Sequence, residues 1–147
     1  MPWLWTFYNS FVLYNIVVTV IYIATGKIQK FITGIIESDP GYSDTVPLAE
    51  AVLGLFVFNS LLILILVSVG YILVWRVNRR NAWALYALTV FCLLWLALGT
   101  YSYYVSFSIP GYQVTMFDHL NYVIGSLFLI VIFVRPYIGW NRKDLAT

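Results

Sequence analysis

Charge is what this chain has least of. Only 10% of its 147 residues are Asp, Glu, Lys or Arg, while 62% are apolar; a soluble domain carries about 25% charge. A water-soluble reading would leave a core with almost no polar surface to cover it. Cysteine occurs once, at Cys92, which excludes an internal disulfide and a cysteine-rich metal site. With leucine and tryptophan neighbours, Cys92 reads as inert packing. Histidine also occurs once, at His119, so bis-histidine haem ligation, a His-rich di-iron site and a multi-histidine zinc site are excluded within this chain. The sequence has no G-x-S-x-G elbow, no phosphate-binding P-loop, no G-x-G-x-x-G turn and no cysteine pair. No catalytic residue, metal or cofactor is therefore assigned. The absence of G-x-x-x-G removes the simplest dimerisation signal.

What the chain does have is long uncharged runs. Between Glu50 and Arg76 there is no acidic or basic residue at all. A helix rises about 1.5 Å per residue, so about 20 apolar residues cross a hydrocarbon layer about 30 Å thick with every backbone amide bonded internally. Four segments meet that length: about 3–26, 48–75, 82–104 and 116–135. The expected fold is all-α, a polytopic membrane protein with a four-helix bundle forming a single domain over 1–147. Pro136 is expected to end the last span. The N-terminus lacks a basic region and a small-x-small cleavage site and carries bulky Trp3 and Trp5, so it reads as a retained span and not a secretion signal.

Orientation follows from the bases. Arg76, Arg79 and Arg80 crowd the link between spans two and three, and Arg135, Arg142 and Lys143 lie at the end of span four. Cytoplasmic loops carry such an excess, so both termini are expected in the cytoplasm. Lys27 and Lys30 fall on the opposite side, and Lys27 to Ile36 reads as a short interfacial helix whose lysine stems snorkel along lipid. Trp3, Trp5, Trp75, Trp83, Tyr101, Tyr103, Tyr104, Tyr137 and Trp140 lie near expected interfaces, as an aromatic belt requires. Arg76, Arg79 and Arg80 are suited to anionic lipid headgroups, and as a nucleic-acid site the cluster is too small and too close to lipid.

The two outer connections share a phrase. Ser38-Asp39-Pro40-Gly41-Tyr42 and Ser108-Ile109-Pro110-Gly111-Tyr112 both read S-x-P-G-Y, each followed three residues later by a threonine, Thr45 and Thr115. This is read either as two duplicated helical hairpins or as a favoured turn dipeptide used twice.

Polar residues inside the spans are where chemistry is expected, because their burial in lipid demands partners. At about 100° per residue, Tyr8, Asn15, Thr19, Tyr22 and Gly26 fall on one narrow face of span one. Asp118, Asn121, Tyr122 and Gly125 do the same in span four. Such stripes either line a path or form the small polar seam along which helices pack. Asp118 and His119 are adjacent, so on a helix they point about 100° apart and should not bond each other. Thr115 and Asp118 also fit a T-x-x-D capping box. Glu50 suits the first turn of span two through the helix dipole, and should share the depth of Asp118 near an outer vestibule.

The stretch from Gly70 to Trp83, with Val134-Arg135-Pro136 closing the last span, resembles small prokaryotic four-helix integral membrane proteins of unknown function. Those show a Leu-Trp-Lys/Arg turn, Ala-Trp at the next helix start and a base plus proline at the exit. Gly26-Lys27-Ile28-Gln29-Lys30-Phe31, with Glu50 and Gly54, is similar to DoxX-like proteins. That resemblance implies an accessory role beside a quinone-linked oxidoreductase, without a cofactor in this chain. The leading expectation is an accessory or scaffolding subunit whose partners are membrane lipids and other membrane subunits or further copies of itself. The alternatives are a minimal transporter or channel whose path includes Asn15, Glu50, Asp118 and His119, and, third, an enzyme acting on lipid or quinone. A continuous wet cavity reaching the midplane would favour transport, and dry, tightly packed stripes would favour scaffolding.

Overall fold

A computed structural model describes residues 2–39 and 48–140. They form five helices: α1 (Pro2–Ala24), α2 (Lys27–Ser38), α3 (Leu48–Asn78), α4 (Ala82–Ser106) and α5 (Met116–Ile138). α1, α3, α4 and α5 are each long and apolar enough to cross a membrane. They make the chain an all-α, multi-pass membrane bundle. α2 differs in kind: it is short and amphipathic. The first S-x-P-G-Y phrase and Arg142 and Lys143 fall mostly or wholly outside the described residues.

The four long helices run up and down in sequence. α1 and α4 each pack against both α3 and α5, so the bundle closes into a square with antiparallel neighbours. One end carries Arg76, Arg79, Arg80, Arg135 and the start of α1; the other carries Asp118, α2 and the α4–α5 loop.

Local sequence explains the joints. Gly26 takes the left-handed conformation at φ 72°, which lets α1 stop and α2 leave at an angle without a Cβ penalty. Asn81 caps α4 by accepting the Ala84 N–H at 3.2 Å. α3 runs beyond the expected Trp75 because Val77 is fully buried. Its end is a Schellman turn, with Asn81 N–H on the Arg76 carbonyl and Arg80 N–H on that of Val77, although Arg80 must then adopt φ 58°. α5 also continues past its expected stop, to Ile138. Pro136 lies in the final turn, where few further backbone bonds depend on its missing N–H, and its ring is fully buried in the packing.

The main core cluster lies in the arginine half. Leu4, Tyr8 and Phe11 of α1, Val74 and Val77 of α3, Leu85, Leu88, Phe91 and Cys92 of α4, and Leu129 and Ile132 of α5 form one buried cluster. Within it Tyr8 packs closely on α3. The Tyr8 hydroxyl donates to the Val67 carbonyl at 2.9 Å, and a Cβ at Gly70 would stand 1.8 Å from that hydroxyl. Glycine at 70 is therefore a packing requirement.

Candidate functional site

At the opposite end the same helices hold a charge. Asp118 is the third residue of α5, and its Oδ2 accepts the Thr115 N–H at 2.7 Å, satisfying a free donor at the helix start. The Thr115 hydroxyl donates to the same oxygen at 3.0 Å. Lys27, the first residue of α2, brings its Nζ to 2.6 Å from Asp118 Oδ2 and 2.7 Å from Thr115 Oγ1. Asp118 Oδ1 accepts the Tyr22 hydroxyl at 2.6 Å and the Tyr112 hydroxyl at 2.8 Å. The carboxylate is buried, and all its donors come from α1, α2 and the α4–α5 loop. One residue thus ties three segments together.

The cation is held as closely as the anion. Lys27 Nζ lies 5.7 Å from the Tyr22 ring centroid and 5.5 Å from that of Tyr112, within reach of both π faces. Burial, reinforced by the hydrogen bond to Asp118, pushes the Tyr112 phenol well above its ordinary value. Tyr112 therefore remains a proton donor to the carboxylate. α2 is fixed over this latch by Phe31, edge-on to Tyr112 at 5.6 Å, and by Gly34, where a Cβ would meet Ile109 at 2.1 Å.

Beneath the latch lies a cavity of about 240 Å³ between α1, α4 and α5. Asn15, Tyr22, Ser102, Asn121 and Ser126 give it polar walls; Phe11, Trp95 and Leu129 close its lower end. From Asp118 to Leu129, α5 rises about 16 Å, half of a hydrocarbon layer about 30 Å thick. Below Leu129 the dry core begins. Several wall groups are held by neighbours: Tyr14 donates to Asn121 Oδ1 at 2.8 Å, and Asn15 Nδ2 donates to the Phe11 carbonyl at 2.8 Å. Asn15 Oδ1 and the Ser102 and Ser126 hydroxyls carry no hydrogen bond among the described residues.

Of the residues singled out from sequence, Asn15, Tyr22, Asp118 and Asn121 meet around this cavity. Thr19 and Glu50 are exposed and line no part of it. His119 diverges from Asp118, as the helical step requires, and its Nδ1 pairs with the Tyr103 hydroxyl. Arg76, Arg79 and Arg80 lie at the far end, where the Arg79 guanidinium stacks 4.4 Å from Trp75 and Arg80 lies 5.8 Å from Trp140. Lys27 does not snorkel outward; the Asp118 pair turns it into the bundle, while Lys30 is exposed. Sequence reasoning did not place Lys27, Tyr112, Ser102 or Ser126 at the site. For Lys27 the signal was present: a base standing against the charge asymmetry of the loops. Among the described residues no group of acids, histidine and cysteine could hold a metal ion. Comparison with protein-family models, curated proteins and solved structures gives no match to this chain.

Proposed function

We propose that this chain is a small-molecule carrier of the membrane, a minimal transporter that binds its solute in the cavity beneath Asp118. The observation that carries this reading is a polar cavity reaching mid-depth and stopping on a dry core. Helices that pack only to hold each other would bring their small polar residues into contact; here those residues line empty volume. Asn15, Asn121, Ser102 and Ser126 are the binding groups; the Lys27–Asp118 latch closes the cavity above and the Phe11–Leu129 floor closes it below. The arginine end faces the cytoplasm with both termini, because Arg76, Arg79, Arg80 and Arg135 supply the retained bases at that end. A single cysteine beside Arg79, in a Cys92→Ala background, is then shielded from an impermeant thiol reagent added to intact cells, and rapid labelling reverses the orientation.

Native mass spectrometry after gentle extraction tests the carrier reading. A stoichiometric small-molecule adduct is expected on the wild type, reduced by Asn15→Leu or Ser126→Leu, both of which fill the cavity. An empty chain recovered only with larger membrane subunits defeats it.

A second reading, the accessory subunit, is favoured by α3. Asn59 is exposed there with no hydrogen bond among the described residues, about 14 Å along the helix from Glu50. An amide at that depth seeks a partner, and a helix of another membrane subunit supplies one. Asn59→Leu would then release that subunit on extraction while leaving the small-molecule adduct in place.

A further inference from the structure

The cavity has a floor and a roof but lacks one wall. Among the described residues its lining comes from α1, α2, α4, α5 and the α4–α5 loop, and none from α3. On α4 the residues Leu88, Cys92, Trp95, Gly99 and Ser102 follow one another at helical spacing on one stripe. Leu88 and Cys92 are buried, whereas Gly99 and Ser102 are exposed. The stripe is covered in the arginine half and uncovered beside the cavity.

The reason lies in α3. Every residue from Val57 to Ile65 is exposed, and nine residues make two and a half turns, so no face of the helix is buried there. α3 rejoins the bundle below, where Tyr8 meets Val67 and Gly70. Above, it meets α2 and the end of α1 across a groove lined by Ile23, Ile32, Leu53 and Phe56. Between these contacts a window about 14 Å tall opens from the cavity into the bilayer.

The axial route is blocked by comparison. The Asp118 side chain is 6% exposed and every oxygen on it is taken, with α2 lying across it. A solute from water must break an ion pair; a solute from the membrane need only pass Gly99 and Ser102.

We propose that the solute enters sideways through this window and is a membrane-dissolved amphiphile. Its uncharged, oxygen-bearing head bonds Asn15, Ser102 and Ser126, and its apolar tail stays beside Phe58, Leu61 and Leu62 of α3. This rests on the carrier reading and names its substrate class. The head is uncharged because, among the described residues, Asp118 is the one charged group in the lining and Lys27 already neutralises it. A charged head would be buried without a counterion.

Trp95 supplies the probe, since it alone among the six tryptophans lines the cavity. In nanodiscs, 2-bromo-4-decylphenol is expected to quench fluorescence saturably, with that component absent in Trp95→Phe. 2-Bromodecanoate and a bromoalkyl trimethylammonium of equal chain length should give only the linear quenching of bulk partition. Gly99→Leu places a side chain in the window, where a Cβ meets nothing within 4 Å, so it should fold normally and weaken the phenol's apparent affinity at least tenfold. Ser126→Leu, inside the cavity, should do the same. Linear quenching by the phenol, equal saturable quenching by a charged amphiphile, or an unchanged affinity in Gly99→Leu overturns lateral entry. So does a Ser102→Cys crosslink to a second polypeptide, which would mean that a helix fills the window. If native mass spectrometry finds a water-soluble adduct while quenching stays linear, the carrier reading stands and this one falls; with neither adduct nor saturable quenching, both fall.

Discussion

Removing Asp118 should cost the bundle more than removing Lys27, although the two form one ion pair. The pair is 2.6 Å long, with side-chain exposures of 6% for Asp118 and 19% for Lys27. Breaking a buried pair by deleting one partner costs about 3–5 kcal/mol, because the survivor is stranded. Asp118→Ala strands an ammonium and also the Tyr22, Tyr112 and Thr115 donors. Lys27 retains some contact with water, so the total is set at the lower end, about 3 kcal/mol. Lys27→Met leaves the carboxylate with the Tyr22 and Tyr112 hydroxyls and both Thr115 donors. Its cost is that of the charge-assisted hydrogen bond to Asp118 together with the more exposed one to Thr115 Oγ1, about 1.5–3 kcal/mol. The double-mutant cycle should return a coupling of about 1.5–3 kcal/mol. Reversible unfolding in mixed micelles of mild detergent and dodecyl sulfate, followed by circular dichroism, measures all four corners. A coupling below about 0.5 kcal/mol, the value of an exposed pair, refutes the latch, as does a Lys27→Met variant less stable than Asp118→Ala.

Gly70→Ala should destabilise by about 1–3 kcal/mol through overpacking, since the new Cβ would stand 2.5 Å from Tyr8 Cζ as well as striking its hydroxyl; in a Tyr8→Leu background the penalty should vanish in the same assay. The buried side-chain amide of Asn78 has no hydrogen-bond partner among the described residues, so Asn78→Leu should raise the unfolding midpoint by removing a desolvation cost of about 1–3 kcal/mol. Tyr112 has its pKa raised by burial and by the Asp118 hydrogen bond. The unfolded chain therefore loses that proton first, near pH 10, and stability falls as pH rises above that value. A Tyr112→Phe variant should show a shallower alkaline decline in thermal melts.

The spans were legible because crossing a bilayer imposes a length that no other fold requires, and the uncharged runs meet it. The polar stripes were legible in part: the angular spacing that groups Asn15 with Tyr22 and Asp118 with Asn121 holds in the fold. Thr19 shares that spacing yet faces outward, because a stripe gives the direction of a face and not what stands opposite it. The departure of α3 was not legible at all. From Val57 to Ile65 its residues are mainly apolar, as they would be against lipid or against another helix, so hydropathy carries no phase information there. Glu50 was placed at the vestibule by depth alone; with α3 set apart in this half, depth does not bring it to Asp118. The Lys27–Asp118 pair joins residues 91 positions apart, beyond any local pattern, and was visible only as a lysine that the charge rule did not explain.

Whether small residues make a seam or a cavity depends on what stands between the helices that carry them. Gly99 and Ser102 on α4 and Gly125 and Ser126 on α5 would let two backbones close together, as small residues do in membrane helix pairs. Two tyrosines resist that closure. Tyr103 of α4 and Tyr122 of α5 stack with centroids 4.4 Å apart and planes 6° from parallel, and Tyr122 reaches Thr100 at 3.0 Å. The stack sits at the end of the α4–α5 interface and both rings line the cavity; acting as a spacer between the helices, it would hold that volume open. Tyr122→Ala should let α4 and α5 close on their small residues. Bromophenol quenching at Trp95 should then be lost while the arginine-half core stays intact, visible as unchanged slow exchange of the amides around Leu85, Leu88 and Ile132. If Tyr122→Ala keeps full quenching, the volume is held by something other than the stack, and the stack is not what turns a seam of small residues into a cavity.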